Sequence, residues 1–206
     1  MTEHDSKPGP RPSPAPAGKG GFRPFSQWKK DGEDDCMDAE GRATHAAVAA
    51  GKLAIGSKLS LRVAGPADLD TIANLEAACF GAADGVFSPR QLLALLSNPN
   101  SYWLISLDGR AVACWLKVSN GRARWARLYS LAVHPAMRGR GWGKYLIESG
   151  FVWMRTQGLT ACRAEVKADN HAARKLYADC GFQEGEVLGD YYAPGVDGVR
   201  LSRAII

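Results

Sequence analysis

The sequence has no apolar run approaching the roughly 18–20 residues that a membrane-spanning helix needs, so no membrane partner is expected. Its opening, Met1-Thr2-Glu3-His4-Asp5, begins with acids and lacks an apolar segment, and it does not read as a secretory leader. Cysteine is scarce and unpatterned. Cys36, Cys79, Cys114, Cys162 and Cys180 make an odd set of five with no Cys-x-x-Cys pair. That argues against a disulfide framework and against a zinc knuckle, so no metal is expected and a reducing cytoplasm suits the chain. No internal repeat is visible.

Charge is present but unevenly placed. The net charge is +5, from 26 basic and 21 acidic residues. Residues 1–56 hold 8 of each, which leaves 18 basic against 13 acidic residues in the remainder. The excess therefore belongs to residues 57–206 and suits a nucleic acid, an acidic protein surface or a phosphorylated cofactor. The first 56 residues read as a tail. Pro8, Pro10, Pro12, Pro14 and Pro16 alternate with small or polar residues, and Gly18, Gly20, Gly21 and an acidic cluster from Asp31 to Asp38 follow. Such a stretch buries too little apolar surface to offset its ordering entropy.

From Leu59 the pattern changes to that of one folded α+β domain. Leu59-Ser60-Leu61-Arg62-Val63 alternates as a half-buried strand. A helix starting at Gly65-Pro66 and a second behind the capping box Ser88-Pro89-Arg90-Gln91 follow. Three strands come next, separated by Asp108-Gly109 and Asn120-Gly121, dipeptides that suit two-residue hairpins. The chain then alternates: a helix over about 141–157, a strand 161–166, a helix 170–180 closed by Gly181, and two last strands near Phe182 and over 199–205. The predicted order is β-α-α-β-β-β-α-β-α-β-β with a mixed sheet.

The strand Leu128–Val133 leads through His134-Pro135-Ala136-Met137 into Arg138-Gly139-Arg140-Gly141-Trp142-Gly143-Lys144 and a helix. A glycine-rich strand-to-helix junction is an anion site: first-turn N–H groups point outward and the helix dipole favours negative charge. The three glycines remove side chains that would hold a diphosphate away from the backbone, and Arg138, Arg140 and Lys144 add positive charge. Other phosphate loops fail on spacing. A P-loop needs glycine where Arg138 stands and a hydroxyl where Tyr145 stands, and a dinucleotide fingerprint from Gly139 needs glycine at Lys144.

Arg138-x-x-Gly141-x-Gly143 resembles the Arg/Gln-x-x-Gly-x-Gly/Ala signature of the GCN5-related (GNAT) N-acetyltransferases. Glu165-Val166 through Asn170, Ala173, Leu176-Tyr177 and Gly181-Phe182 is similar to a later segment of that superfamily, in particular its RimI branch of ribosomal-protein-alanine N-acetyltransferases. Asp190-Tyr191-Tyr192-Ala193-Pro194 and Asp197-Gly198-Val199-Arg200 resemble the closing segment of that branch. The resemblance spans about Leu59 to Ile206. It implies a mainly antiparallel mixed sheet flanked by helices. It also implies that main-chain groups of the strand Leu131-Ala132-Val133 hold the pantetheine arm and acetyl group of acetyl-CoA, that Arg138 to Lys144 hold its pyrophosphate, and that Asn170 contacts it. The stretch Gly81 to Ser88 departs from the aromatic-rich loop of RimI-type enzymes.

Acetyl transfer to an amine needs a neutral nucleophile and a protonated leaving thiol. An α-amino group, with a pKa of about 7.7–8.0, is neutralised more easily than lysine at about 10.4. Glu165 lies in an otherwise apolar strand at the position RimI-type enzymes use for a general base, and Tyr177 is the matching general acid. Val133 N–H is placed to polarise the thioester carbonyl. Asn170, Ala173 or Arg174, and Tyr177 are expected on one helix face, and Tyr191 and Tyr192 either wall the acceptor site or pack a hairpin. His134 reads as a surface residue, Cys162 and Cys180 as small buried hydrophobes. A protein or peptide N-terminal amine is the expected acceptor, with a small amine or a lysine side chain as the alternative. A non-catalytic acyl-CoA-binding module is the rival, against which the presence of both Glu165 and Tyr177 argues. Arg122, Arg124 and Arg127 with Trp125 form a basic hairpin strand that leaves nucleic acid as an unlikelier partner, since no RNA-binding motif accompanies it.

Overall fold

The computed structural model describes residues 60–81, 86–120 and 123–206. The expected tail 1–56, half of the departing loop (82–85) and Gly121 of the Asn-Gly turn lie outside them. In chain order the elements are β1 (Leu61–Val63), a 3₁₀ turn (Pro66–Asp68), α1 (Leu69–Cys79), α2 (Pro89–Leu96), β2 (Ser101–Ser106), β3 (Ala111–Asn120) and β4 (Ala123–Val133). A second 3₁₀ turn (Pro135–Met137), α3 (Trp142–Thr156), β5 (Ala161–Lys167), α4 (His171–Asp179), β6 (Gln183–Ala193) and β7 (Val196–Ala204) complete them. This is the order expected from sequence. Among the described residues no helix is long and apolar enough to cross a membrane.

Local chemistry explains several boundaries. Ser88 Oγ accepts from Gln91 N–H while Gln91 Oε1 takes Ser88 N–H at 2.9 Å, so the capping box forms and starts α2. At the end of α4, Gly181 (φ +79°) turns the chain left-handed. Phe182 N–H then donates to Tyr177 C=O at 3.0 Å and Gly181 N–H to Ala178 C=O at 2.8 Å, a Schellman stop. One turn differs from expectation. Residues 107–110, not a two-residue loop, join β2 to β3, because Ser106 Oγ accepts the N–H groups of Arg110 and Ala111 and widens the turn.

The seven strands form one sheet in the order β1-β2-β3-β4-β5-β7-β6, with β4 and β5 parallel and the other neighbours antiparallel. Its two faces carry separate apolar clusters. On one, Trp115, Ala126, Leu128, Cys162, Ala164, Val166 and Leu201 meet α3 and α4. On the other, Trp103, Ile105, Val112, Cys114 and Ala132 meet α1 and α2. Each large side chain sealed this way contributes roughly 1.5–3 kcal/mol. Helix α3 approaches closely because Gly150 faces Trp115: a methyl there would lie 2.2 Å from the indole ring.

Two irregularities in β4 place the site. Trp115 pairs with Leu128 and Cys114 with Ser130, so Tyr129 is an extra residue, a β-bulge. The bulge reverses the side-chain alternation: Ala126 and Leu128 face α3 and α4, then Leu131 and Val133 do, and Ser130 and Ala132 face α1. In addition, β4 pairs with β5 only at Trp125, Ala126 and Arg127, opposite Ala161, Cys162 and Arg163. Beyond Arg127 the parallel strands diverge.

Candidate active site

The gap between β4 and β5 exposes main chain. His134 N–H donates to Arg110 C=O at 2.9 Å, and Arg110 belongs to the β3 side. Because strand main-chain groups alternate in direction, Val133 and Leu131 turn their N–H and C=O toward the side that β5 has left. Val133 C=O takes a hydrogen bond from Arg138 Nε at 3.2 Å. Its N–H lies against the thiol of Cys79, at the end of α1. Arg138 thus caps a strand edge in this structure, a use that no spacing argument indicates.

The gap leads to the start of α3. Gly139 and Gly141 have φ of +72° and +83°, and a Cβ on either would meet no atom within 4 Å. Gly141 is the N-cap, and the first intrahelical bond runs from Tyr145 N–H to Gly141 C=O at 3.0 Å. The N–H groups of Trp142, Gly143 and Lys144 therefore precede the helix's own acceptors and face outward. Arg138, Arg140 and Lys144 are exposed around them. Two expectations change in detail. Gly143 faces α4 rather than the open turn, and a Cβ there would come within 2.8 Å of a Leu176 methyl. The Trp142 side chain is buried in the α3–α4 core, so only its main chain can serve the loop.

Helix α4 starts behind Asn170 and carries Tyr177 two turns further on. Asn170 is the N-cap, exposed, with Oδ1 accepting Ala173 N–H at 3.0 Å. Arg174 turns to Glu184, with two contacts of 2.8 Å. Tyr177 is 8% exposed and packs edge-on against Phe182 at 5.3 Å, the hydrophobic contact of the Schellman stop. Burial, with Tyr192, Cys162, Cys180 and Glu165 nearby, pushes its phenol well above the ordinary range. It stays protonated across any physiological pH.

These features belong to a known family. Residues 69–182, more than half of the chain, match the acetyltransferase (GNAT) family. The chain belongs to the GNAT family. Among relatives, a mycothiol acetyltransferase of Beutenbergia cavernae is 32% identical over 47% of this chain and 33% of its own length. A [ribosomal protein bS18]-alanine N-acetyltransferase of Haemophilus ducreyi is 33% identical over 39% of this chain and 55% of its own length. The chain thus spans only a third to about half of these relatives. The crystal structure of Arabidopsis thaliana NAA60 in complex with acetyl-CoA shares the fold, with a TM-score of 0.64 at 16% identity, covering 72% of this chain and 99% of that one.

In this GNAT domain the alternation of β5 puts Ala164 and Val166 toward α3 and α4 and Glu165 on the opposite face. The Glu165 side chain is 8% exposed. Its Oε2 lies 2.8 Å from Arg127 Nε and its Oε1 3.4 Å from Arg200 Nε. Arg127 Nη2 also donates to the Tyr191 hydroxyl at 2.7 Å, and its guanidinium stands 5.3 Å from the Tyr129 ring centre. Tyr191 meets Tyr192 edge-on at 5.1 Å, and Lys167 lies over Tyr192 at 5.7 Å. Both tyrosines are therefore tied to the Glu165 layer.

Sequence reasoning singled out neither Arg127 nor Glu76 for this site. Glu76 in α1 is 2% exposed within the α1–α2 cluster, and Ser130 Oγ donates to its Oε1. Burial raises its carboxyl above the usual glutamate range, and the Ser130 bond only partly opposes that. Glu76 did leave a signal, a polar residue on the apolar stripe of a helix, whereas Arg127, the last β4 residue paired with β5, left none. Cys79 is also at the gap, with its thiol raised by burial despite Arg138 beside it. His134 Nδ1 merely accepts Ala136 N–H at 3.3 Å. Arg124 and Trp125 lie at the far end of β4, with Arg163 stacked on Trp125 at 4.5 Å, while Arg122 lies outside the described residues. Among the described residues no three His, Cys, Asp or Glu side chains gather as a metal set.

Proposed function

We propose that this chain is an acetyl-CoA-dependent N-acetyltransferase acting on the N-terminal amine of a protein or peptide, with residues 57–206 as its catalytic domain. The observation that carries the reading is the β4–β5 gap, where the main chain of Leu131 and Val133 turns to the side β5 has left. Arg138 and Cys79 now stand at Val133 where a pantetheine arm would lie, and the line ends at the open, left-handed turn of Gly139 and Gly141. A pantetheine arm fits such a line because it is an amide-bearing chain seeking a strand edge. A diphosphate fits the turn because nothing fills the space a Cβ would take there. Acetyl-CoA supplies the activated thioester.

The protein's part is positional and electrostatic. Trp142, Gly143 and Lys144 N–H groups and the cations Arg138, Arg140 and Lys144 hold the pyrophosphate, with Asn170 near the same end. Leu131 to Val133 hold the pantetheine. Val133 N–H stabilises negative charge on the carbonyl oxygen as the amine nitrogen bonds to the acetyl carbon, a contribution of the oxyanion type. Glu165 takes the proton that the amine gives up. Its Oε1 is the working oxygen: Arg200, its partner there, is 40% exposed and 3.4 Å away, whereas Oε2 is held at 2.8 Å by the less exposed Arg127. Tyr177, protonated by burial, donates its hydroxyl hydrogen toward the sulfur as the C–S bond breaks.

The bS18-alanine acetyltransferase among the relatives favours an N-terminal acceptor. The mycothiol acetyltransferase keeps a small amine as the second reading. The four described cysteines are all free thiols, which supports a reducing cytoplasm as the location. The test is thiol release from acetyl-CoA with defined peptides, N-acetylated peptides, lysine and small amines. Release is expected only where a free α-amine is present, and Tyr177→Phe should slow turnover by at least about tenfold with little change in coenzyme A affinity. Coenzyme A binding without release for any amine would make the chain a binding module, and an unchanged rate in Tyr177→Phe would remove that residue from the mechanism.

A further inference from the structure

The main-chain ladder between β4 and β5 ends at Arg127 opposite Arg163, so beyond that point these two strands are bridged to each other by side chains. Arg127 supplies the connection. Its side chain is only 12% exposed, and a cation so far removed from water must be paired. From β4 it reaches Glu165 Oε2 on β5 at 2.8 Å and the Tyr191 hydroxyl on β6 at 2.7 Å, beside the ring of the bulge residue Tyr129. One planar guanidinium thus addresses two elements in different directions, which a lysine ammonium on a single stem does poorly. Arg200 is a different kind of partner: more exposed, farther from Glu165, and shared with Glu186 at 2.7 Å.

We infer that Arg127 is a positioning residue for acetyl transfer. It clamps Glu165 Oε2 and Tyr191 together across the mouth of the gap, so that Glu165 presents Oε1, and the tyrosine wall its ring, to the incoming amine. This rests on the reading of Glu165 as the base. The clamp concerns the acceptor half, since Arg127, Glu165 and Tyr191 stand on β4, β5 and β6, whereas the turn proposed to receive the pyrophosphate opens α3.

The experiment is a mutant cycle on the full chain: Arg127→Gln, Arg127→Lys, Glu165→Gln, and Arg127→Gln with Glu165→Gln, each checked by thermal melting. The readouts are kcat and KM for an acceptor peptide, and coenzyme A affinity by calorimetry. Arg127→Gln is expected to lower kcat/KM for the peptide by roughly ten- to a hundredfold, with coenzyme A affinity within about twofold. Arg127→Lys, which keeps the buried charge, should recover only part of that loss. In the Glu165→Gln background, Arg127→Gln should cost less than about twofold more, because both changes remove one unit. Full activity in Arg127→Gln with an inactive Glu165→Gln overturns the clamp and leaves the base standing. Losses that multiply independently also overturn it. Full activity in Glu165→Gln removes the base, and the clamp with it. Should Arg127→Gln fail to fold, Arg127→Lys decides: a peptide kcat/KM equal to that of the wild type refutes the inference.

Discussion

Gly141→Ala separates the stability of the α3 turn from its proposed affinity for a diphosphate. The residue is the helix N-cap, with φ of +83°, and a Cβ would find nothing within 4 Å. No clash therefore contributes to the cost. What remains is the left-handed conformation, worth roughly 1–2 kcal/mol for a residue with a Cβ. In a domain of this size each kcal/mol moves the melting temperature by about 2–4 °C, so a loss of about 2–8 °C is expected. The variant should fold.

The effect on binding should be larger than that on folding. The space left open at 141 is where a diphosphate would lie against the N–H groups of the first turn. A methyl there, or relaxation of φ to negative values that re-aims those groups, removes at least one charge-assisted hydrogen bond. Such bonds are worth about 1.5–3 kcal/mol, which weakens coenzyme A binding roughly 10- to 150-fold. Calorimetric titration with coenzyme A, beside urea unfolding of the same preparation, measures both quantities. A folded Gly141→Ala protein that binds coenzyme A within about twofold of the wild type would refute the anion site and the enzymatic reading built on it.

Two other substitutions probe the frame. Gly150→Ala would put a methyl 2.2 Å from the Trp115 ring, and a buried indole has no room to yield. The expected cost is about 1–3 kcal/mol or more by urea unfolding, and an unchanged midpoint would mean that α3 does not sit where the packing puts it. Glu76→Gln should stabilise the protein at neutral pH. The folded carboxyl has a raised pKa, so its stabilising contribution is complete below about 4.3 and is lost as pH climbs to the raised folded value. Glutamine never ionises and can still accept from Ser130. The melting temperature of the variant minus that of the wild type should therefore grow as pH rises from about 4.3 through the raised folded value and then level off, whereas a flat difference would show that Glu76 ionises as readily when folded.

Much of the fold was legible because its punctuation is local. Ser88 and Gln91 sit three residues apart, and Gly181 directly follows the last turn of α4, so short-range chemistry marks those ends. The open glycine turn ahead of α3, at Gly139 and Gly141, was legible for the same reason. Features depending on distant partners were not. Leu128 and Leu131 facing the same helices is a phase error in a strand, and only pairing with β3 shows the extra residue between them. Gly143 resembles its loop neighbours, yet its neighbour in space is Leu176, 33 positions later in the sequence. Arg127 reads as one of several alternating surface cations until β5 and β6 fold over it. Asn170 shows the opposite limit: a cap residue at a helix start is a local signal, but the family segment drew the reading toward the cofactor alone.

The bulge at Tyr129 and the short β4–β5 pairing have a joint consequence for chemistry. A continuous sheet separates its two faces completely, so a residue under α4 and a residue on the opposite face could not act on one reacting centre. Tyr177 and Glu165 are such a pair. The first is packed beneath the sheet by Phe182, and the second stands on the other face beside Arg127. They can meet only where the ladder is interrupted, and there Val133 also turns its N–H toward the opening. In the proposed mechanism the amine loses its proton on one face and the sulfur gains one on the other, with the acetyl group in the gap between them. On that reading the missing backbone pairs between β4 and β5 are as much a part of the proposed site as the residues.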